Sequence, residues 1–344
     1  MTITPRAQRK RPTQADVARR AGVSQAIVSY VLNNRSDEVA ADTRERVLRA
    51  IEELGYVPHG AARSLRTSQT LTIACIIPDI TNPFYPALER GIQMVAEARD
   101  YDLIVSNTDG DAGKESRALR GLLRGRADGA LMVPFHLDRE GIETVVGAGV
   151  ALTLLHQPDP ALLALGVDFV HVDTALGARL AVDYLIERGH TRIGMIAGIP
   201  GTPPREMRVR GYREALEAHG LPHDDLLIRG ADYQEAGGYE AMVELLKLTP
   251  RPTAVFAAND LMAFGAMIAL RERDLRIPED VAVIGLDDIP AARLVQPPLT
   301  TVTQHTEQLG HDAAGLLFSR LAGEAPAHGR TLDWPVTLIR RESA

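Results

Sequence analysis

The residues of this 344-residue chain that could carry chemistry are few, and their spacing does not fit a catalytic motif. The stretch GDAGK at 110–114 differs in spacing from the G-x-x-x-x-G-K-[ST] loop that cradles nucleotide phosphates. No G-x-S-x-G sequence marks a hydrolase nucleophile. The single cysteine, Cys75, excludes an intramolecular disulfide framework. We therefore expect a protein that is not an enzyme, with no cofactor and no metal site.

Two polar pairs at the ends of apolar segments could still bind a ligand. His171 and Asp173 lie two residues apart and would share one face of a strand, but nothing nearby completes a metal site. We assign them a structural role at the strand end. Asp287 and Asp288 are neighbours whose side chains should point apart, which favours a binding carboxylate over a catalytic acid pair.

The basic residues are concentrated at the amino-terminal end of an acidic chain. The formal net charge is -7, yet residues 1–67 carry 12 Lys and Arg against 7 Asp and Glu. Such a head favours a polyanion partner, although a solvated terminal domain would give the same counts. The start MTITPRAQRKRP lacks the apolar core of a secretion signal, and no apolar run is long enough to cross a bilayer. We expect a cytoplasmic location and no membrane partner.

Three short helices are predicted in the basic head. Thr13 begins a loose capping box before the first helix, and Gly22 ends that helix. Ser24 is the expected N-cap of the second helix, QAIVSYVLN. A third helix is predicted to start at Asp42 and to close at Gly55. Three helices with one tight turn describe a helix-turn-helix domain, which we assign to residues 1–58.

The rest of the chain reads as a hinge, residues 59–69, followed by an α/β core, residues 70–344. Eight apolar strand candidates separated by helical segments follow in order: LTIACIIP, DLIVSN, GALMVPF, VALTLL, FVHVD, RIGMIAG, AVFAAN and VAVIGLDD. This alternation predicts parallel sheets covered by helices on both faces, and the strand number suits two doubly wound lobes. The segments LTTVTQ and TLDWPVTLIRRES should return to one lobe or the other.

The ordered series of segments resembles the LacI/GalR family of bacterial transcriptional regulators over essentially the whole chain. The matching segments are DVARRAGVSQAIVSYVLN, TRERVLRAIEELGYVP, AARSL, IIPDITNPFY, VDTALG, RGHTRIGMIAG, FAANDLMAFGAM, VAVIGLDDIP and PPLTTV. The resemblance implies a helix-turn-helix head, a hinge, and two lobes like those of periplasmic sugar-binding proteins. It also implies three partners: double-stranded operator DNA, a small-molecule effector that is a sugar or sugar-like metabolite, and a second copy in a homodimer.

By this resemblance, the second helix enters the major groove and a hinge leucine enters the minor groove. The predicted DNA-binding residues are Thr13, Ser24, Gln25, Ala26, Ser29, Tyr30, Asn33, Ala62 and Leu65. Tyr30 stands where the family commonly has Arg, and His59 stands where it usually has Asn. Tyr30 as a packing residue and Leu65 as an ordinary linker residue are the alternatives.

The effector site is carried over in the same way. The predicted effector-binding residues are Phe84, His156, Arg208, Tyr233, Asn259 and Asp287. Arg208 would fork toward ligand hydroxyls or a carboxylate, and Tyr233 would stack on a flat ligand face. His156 and the following Gln157 stand where the family often has an Asp-Arg pair. A structural salt bridge between Arg208 and Asp287 across the lobes is the alternative for that pair.

Together these features predict a ligand-responsive repressor of a carbohydrate-use operon, in which a ligand between the lobes alters the hinge and the affinity for the operator. A solute-binding protein of the same two-lobed fold is the alternative from another class. It would lack residues 13–66 and carry an export signal. A purine or another small metabolite is the alternative ligand.

Overall fold

The chain divides into two compact units, Met1–Thr70 and Leu71–Ala344. The computed structural model describes residues 12–32, 39–56 and 69–344. In the described part of the chain, no helix combines the length and apolar character that crossing a membrane requires.

The first unit contains three helices, α1 (Gln14–Ala21), α2 (Gln25–Leu32) and α3 (Ala41–Leu54). They pack around a small apolar core, formed by Val17, Ala18, Ala21, Val28, Val31, Val47 and Ala50. The helices are too short to be stable alone, so this shared core must hold them together.

The ends of these helices follow the predicted capping chemistry at most positions. Thr13 and Asp16 form the full capping box, with the Thr13 amide and hydroxyl donating to the Asp16 carboxylate at 2.9 and 2.7 Å. Gly22 and Gly55 adopt left-handed φ angles of 68° and 59° and end α1 and α3. The predicted start of α3 is wrong by one residue, because α3 begins at Ala41 after an N-cap that has no side-chain hydrogen bond.

The second unit is built from alternating strands and helices. Its strands are β1 (Thr72–Ile77), β2 (Asp102–Asn107), β3 (Gly129–Met132), β4 (Ala151–Leu155), β5 (Asp168–Val172), β6 (Ile193–Ala197), β7 (Ile228–Gly230), β8 (Ala254–Ala257), β9 (Ala282–Ile284), β10 (Thr301–Thr303), β11 (Thr331–Trp334) and β12 (Thr337–Ile339). Its α-helices are α4 (Phe84–Glu97), α5 (Ala112–Leu122), α6 (Arg139–Gly147), α7 (Pro160–Ala164), α8 (Thr174–Glu187), α9 (Pro203–Ala218), α10 (Glu235–Leu246), α11 (Asp260–Arg271) and α12 (Thr306–Leu321). Each of the eight strand candidates contains a strand.

Ten of the strands form two parallel sheets, which define two lobes, and β10 and β12 form a separate antiparallel pair. The first lobe holds a six-stranded sheet of order β11-β5-β4-β3-β1-β2, and the second holds a four-stranded sheet of order β7-β6-β8-β9. Helices cover both faces of each sheet, and the predicted fold class, a helical head followed by two doubly wound lobes, is confirmed.

The chain passes between the lobes at three places. It leaves the first lobe after β5, returns between β10 and α12, and crosses again between β11 and β12, because β12 pairs antiparallel with β10. Asp168 anchors the returning segment: its fully buried carboxylate accepts hydrogen bonds from Arg320 at 2.7 Å and from Arg330 at 2.8 Å. These crossings leave the carboxyl ends of both sheets facing a common space.

Candidate functional site

A cavity of about 390 Å³ lies between the two lobes of the second unit. Its walls include residues of the loops that follow strands in both sheets, such as Phe135 after β3 and Asn259 after β8. The carboxyl ends of parallel strands are the usual place for a ligand in this architecture, because the connecting loops diverge there. The volume lies toward the small end of ligand-binding pockets, about 300–1,000 Å³.

All six residues predicted to bind an effector line this one cavity. They are Phe84 and His156 from the first lobe, and Arg208, Tyr233, Asn259 and Asp287 from the second lobe. Residues separated by up to 203 positions in the chain are thus brought together by the strand ends. The structure places them side by side, and their role in binding stays a prediction.

Arg208 presents an incompletely satisfied guanidinium to the cavity. The residue is only 9% exposed and donates from Nη1 to the carbonyl oxygen of Ala258 at 2.8 Å. Its buried Nε has no hydrogen-bond partner among the described residues. Because an unpaired buried donor is costly, a ligand oxygen at this position would be stabilising.

Asp287 is a buried carboxyl with an unusual backbone and an unusual pKa. Burial raises the pKa of Asp287 to about 8, against the opposing effect of the positive charge on Arg208. Its Oδ1 accepts a hydrogen bond from Gln304 Nε2 at 2.7 Å, and its φ of 125° lies in a region that L-residues rarely adopt. Asp288 points elsewhere and pairs with Arg341, so the expectation that the two carboxylates diverge is confirmed.

The alternative of a structural salt bridge between Arg208 and Asp287 is wrong. Both residues belong to the second lobe, so the pair does not join the lobes. Within the described residues, their side chains form no ion pair with each other, since Arg208 bonds to Ala258 and Asp287 to Gln304. The charges interact across the cavity wall without direct contact.

Tyr233 is held in place by close packing against Gly198 and by a hydrogen bond from Asn259. It has a left-handed φ of 66°, and its ring lies so close to Gly198 that an added Cβ there would stand 1.8 Å from Tyr233 Cζ. Asn259 donates from Nδ2 to the Tyr233 carbonyl at 2.9 Å and accepts from the Met262 amide at 2.9 Å, which caps α11. Asn259 therefore positions Tyr233 and α11 in addition to lining the cavity. The sequence analysis predicted only an effector contact for Asn259.

Several cavity residues were missed by the sequence analysis. Phe135 of the first lobe meets Tyr233 of the second with ring centroids 6.0 Å apart. Asp79 accepts a hydrogen bond of 2.5 Å from Gln234 Nε2, which also joins the two lobes. His171, to which we assigned a structural role, lines the cavity, while Asp173 caps α8 by accepting from the Leu176 amide at 2.9 Å. A search at strand ends would have found Asp79 and Phe135, which follow β1 and β3, whereas His171 was identified at a strand end but not assigned to the cavity.

The head carries the predicted DNA-binding residues of α2 on its surface. Ser24, Gln25 and Ala26 are exposed at the start of α2, and Ser24 Oγ accepts from the Ile27 amide at 3.4 Å. Tyr30 is 38% exposed and is absent from the packed core of the described head, which argues against the packing alternative. Ser29 is partly buried, and Thr13 is engaged in its capping box. The remaining predicted positions, Asn33, Ala62 and Leu65, lie outside the described residues, as does His59.

Comparisons with known proteins agree with this organisation. Residues 13–59 match the family model for bacterial regulatory proteins of the lacI family, and residues 182–344 match that for a periplasmic binding protein-like domain. The ribose operon repressor of Escherichia coli (strain K12) is 38% identical, with 96% of this chain and 99% of that protein covered.

Two solved structures resemble the chain along nearly its full length. A transcriptional regulator CelR-cellobiose complex has a TM-score of 0.72 at 36% identity and covers 97% of this chain and 100% of its own. The Lac repressor dimer bound to operator and the anti-inducer ONPF has a TM-score of 0.84 at 29% identity and covers 97% and 99%. The helical head, the two-lobed core with its interlobe cavity, and these similarities agree: the chain belongs to the LacI family of bacterial regulatory proteins.

Proposed function

We propose that this protein is a ligand-responsive, sequence-specific DNA-binding repressor of a carbohydrate-use operon, acting as a homodimer. One observation carries the proposal: six residues predicted to bind an effector converge on a single interlobe cavity, in a chain whose residues 13–59 match a DNA-binding family model. The helix-turn-helix head argues against the alternative of a simple solute-binding protein, because a protein that only binds solutes does not need a DNA-binding domain.

The chemistry of the cavity supports a sugar as effector. Flat apolar rings from Phe84 and Tyr233 stand beside the donors of Arg208 and the carboxyl of Asp287, a combination that suits the apolar face and hydroxyl rim of a sugar. The similar proteins support the same choice, since one is a ribose operon repressor and another is a CelR-cellobiose complex. Both of these similar proteins are named as regulators, which also supports a role other than catalysis.

In the proposed mechanism, sugar and operator binding are coupled through one free energy. Such coupling is about 1–3 kcal/mol and acts in both directions, so a sugar that weakens DNA binding must itself bind less tightly to the DNA complex. A homodimer would read a near-palindromic operator with half-sites about one helical turn apart. Phosphate contacts make the affinity fall steeply with salt.

The test combines selection of DNA from a random pool with fluorescence anisotropy on the selected duplex, with and without each member of a sugar panel. Tyr30→Ala should weaken DNA binding and leave sugar binding unchanged. Arg208→Ala should weaken sugar binding by about 2–5 kcal/mol, the usual cost of removing one partner from a buried charged hydrogen bond, and should abolish the response of DNA binding to sugar.

Arg213→Ala is the matched control, because Arg213 lies on the same helix as Arg208 but pairs with Asp225 at the surface. It should change neither binding event. Selection that enriches no sequence, or DNA binding that ignores every sugar that binds the protein, would contradict the proposal.

A further inference from the structure

We propose that His156 and His171 act as a pair of hydrogen-bond acceptors that select a neutral ligand with two neighbouring hydroxyl groups. This inference rests on the proposed function and specifies which sugars the cavity accepts. It assigns to His171 a specificity-determining role, and it rests on the position of both rings and on the atoms that each ring leaves unpaired.

The sheet places the two histidines beside each other. In the parallel pairing of β4 with β5, Leu155 stands opposite Val170, so His156 and His171 are the next pair along. The His156 amide continues the ladder by donating to the Val170 carbonyl at 3.2 Å. Paired residues of neighbouring strands project to the same face of a sheet, and both histidines line the cavity.

The hydrogen bond of His156 determines what its ring can offer. Nδ1 lies 2.9 Å from the carbonyl oxygen of Gln157, which can only accept, so Nδ1 carries the hydrogen. In the neutral ring, Nε2 then holds a lone pair and acts as an acceptor. This Nε2 is buried, and no hydrogen-bond partner for it exists in the part of the chain that the structure describes.

His171 has the same arrangement through a different partner. Its Nδ1 lies 3.2 Å from Oδ1 of Asp333, a carboxylate that accepts, so Nδ1–H points at Asp333 and, in the neutral ring, Nε2 is an acceptor. His171 Nε2 is also buried and unpaired within the described residues. Two adjacent acceptors without donors are matched by two adjacent hydroxyl groups of a ligand, each donating one hydrogen bond.

The charges around the cavity point to a neutral ligand. Asp79, Asp109, Asp232 and Asp287 line the cavity, and Arg208 is the one Lys or Arg in the described lining. Asp109 is paired with Lys114, and burial raises the pKa of Asp287 to about 8, which leaves that carboxyl protonated at neutral pH. A phosphate or carboxylate group on the ligand would still meet Asp79 and Asp232, with a single guanidinium to offset them. The geometry therefore favours a neutral sugar over its phosphorylated form or a sugar acid.

The experiment is isothermal titration calorimetry on the full-length protein with a panel of neutral pentoses, hexoses and disaccharides. The tightest binder is then compared with its deoxyfluoro analogues, one position at a time, because fluorine replaces the hydroxyl without being able to donate. We expect fluorine at two neighbouring positions to weaken binding about tenfold or more, and a phosphorylated form of the same sugar to bind at least tenfold more weakly.

Two substitutions assign the positions to the two rings. His171→Phe keeps an aromatic ring but removes the acceptor, so the loss caused by fluorine at one of the two positions should disappear in this variant. His156→Phe should do the same for the neighbouring position. His171→Gln retains an acceptor oxygen and should preserve the discrimination, which separates hydrogen bonding from a packing effect.

The outcomes distinguish this inference from the function on which it rests. If no sugar in the panel binds, the proposed function fails and the inference fails with it. If a sugar binds but fluorine is tolerated at every pair of neighbouring positions, or the His→Phe variants keep the full discrimination, the inference alone is overturned. Should a Phe variant not fold, the fluorine profile of the unmodified protein still decides.

Discussion

Replacing Asp287 with Asn should remove a pH-dependent loss of stability from the core. Burial raises the pKa of Asp287 to about 8 in the folded protein, whereas an exposed aspartate titrates near 3.8. Between these values the folded state binds a proton that the unfolded state has released, so the free energy of unfolding must fall as pH rises. The penalty is complete above pH 8 and absent below the unfolded pKa.

The magnitude follows from proton linkage. One proton bound only in the folded state changes the free energy of unfolding by about 1.4 kcal/mol for each pH unit within the window. Asn keeps the oxygen that accepts from Gln304 Nε2 and has no proton to lose. Asp287→Asn should therefore gain stability over the unmodified protein by about this amount per pH unit from pH 5 to pH 8, or a few degrees in melting temperature.

The assay is urea unfolding of both proteins at half-unit steps from pH 5 to pH 9. Asp260, whose pKa burial raises to about 7, gives a slope of the same sign in both proteins, so the difference between them reports Asp287 together with its electrostatic coupling to Asp260. Asp280→Asn is the control with the opposite sign, because Arg276 lowers the pKa of the half-buried Asp280 and the variant should lose a little stability at every pH in this range. Parallel stability curves for Asp287→Asn and the unmodified protein would refute a protonated Asp287.

Three further substitutions test other parts of the structure. Gly198→Ala should weaken sugar binding about tenfold or more in calorimetry with little change in melting temperature, because the new Cβ would stand 1.8 Å from Tyr233 Cζ; unchanged affinity would mean that the ring is free to move. Asp168→Ala should lower the free energy of unfolding by about 3–5 kcal/mol in urea, since it leaves two guanidinium groups near a buried position without their carboxylate, and a loss below 1 kcal/mol would contradict this. Thr13→Ala should lower the free energy of unfolding of the head by about 1 kcal/mol, because the capping box of α1 is lost. Thr13→Ser should be nearly neutral, and circular dichroism of the thermal unfolding of the head measures both.

The strands of the core could be predicted because their residues are apolar on both faces. Strands covered by helices on both sides form short continuous apolar runs, and each of the eight such runs contains a strand. β7 (Ile228–Gly230) was missed because it is a three-residue edge strand that is only partly buried. The apolar signal that identifies a central strand is weak at such a position.

The last two strands show what local patterns leave undetermined. β11 (Thr331–Trp334) and β12 (Thr337–Ile339) are separated by two residues, yet β11 joins the sheet of the first lobe and β12 pairs with β10 beside the second. From the sequence we predicted that this segment returns to one lobe or the other, but not that it contributes one strand to each. Which sheet accepts a strand depends on the free edges that the rest of the chain leaves.

The role of Asn259 as the N-cap of α11 could have been predicted from the sequence. Asn immediately before a helical segment is a typical N-cap, and the Asn259 side chain does accept from the Met262 amide at the start of α11. Its second contact, with the carbonyl of Tyr233, joins residues 26 positions apart and depends on the left-handed backbone at Tyr233. The Asn259 amide therefore positions Tyr233 and the start of α11, and its predicted contact with an effector stays a prediction.

Some cavity residues could be predicted from their position at a strand end, but which of them are neighbours depends on the order of the strands in the sheet. Ligands bind at the carboxyl ends of parallel strands, so the residues after β3, β4 and within the end of β5 were candidates by position alone, and they include Phe135, His156 and His171. The sequence does not say that β4 lies between β3 and β5, and only that order sets His156 beside His171. Two histidines that are 15 residues apart in the sequence each look like an isolated strand-end residue, whereas the parallel register places them side by side at one cavity, as the proposed pair of acceptors requires.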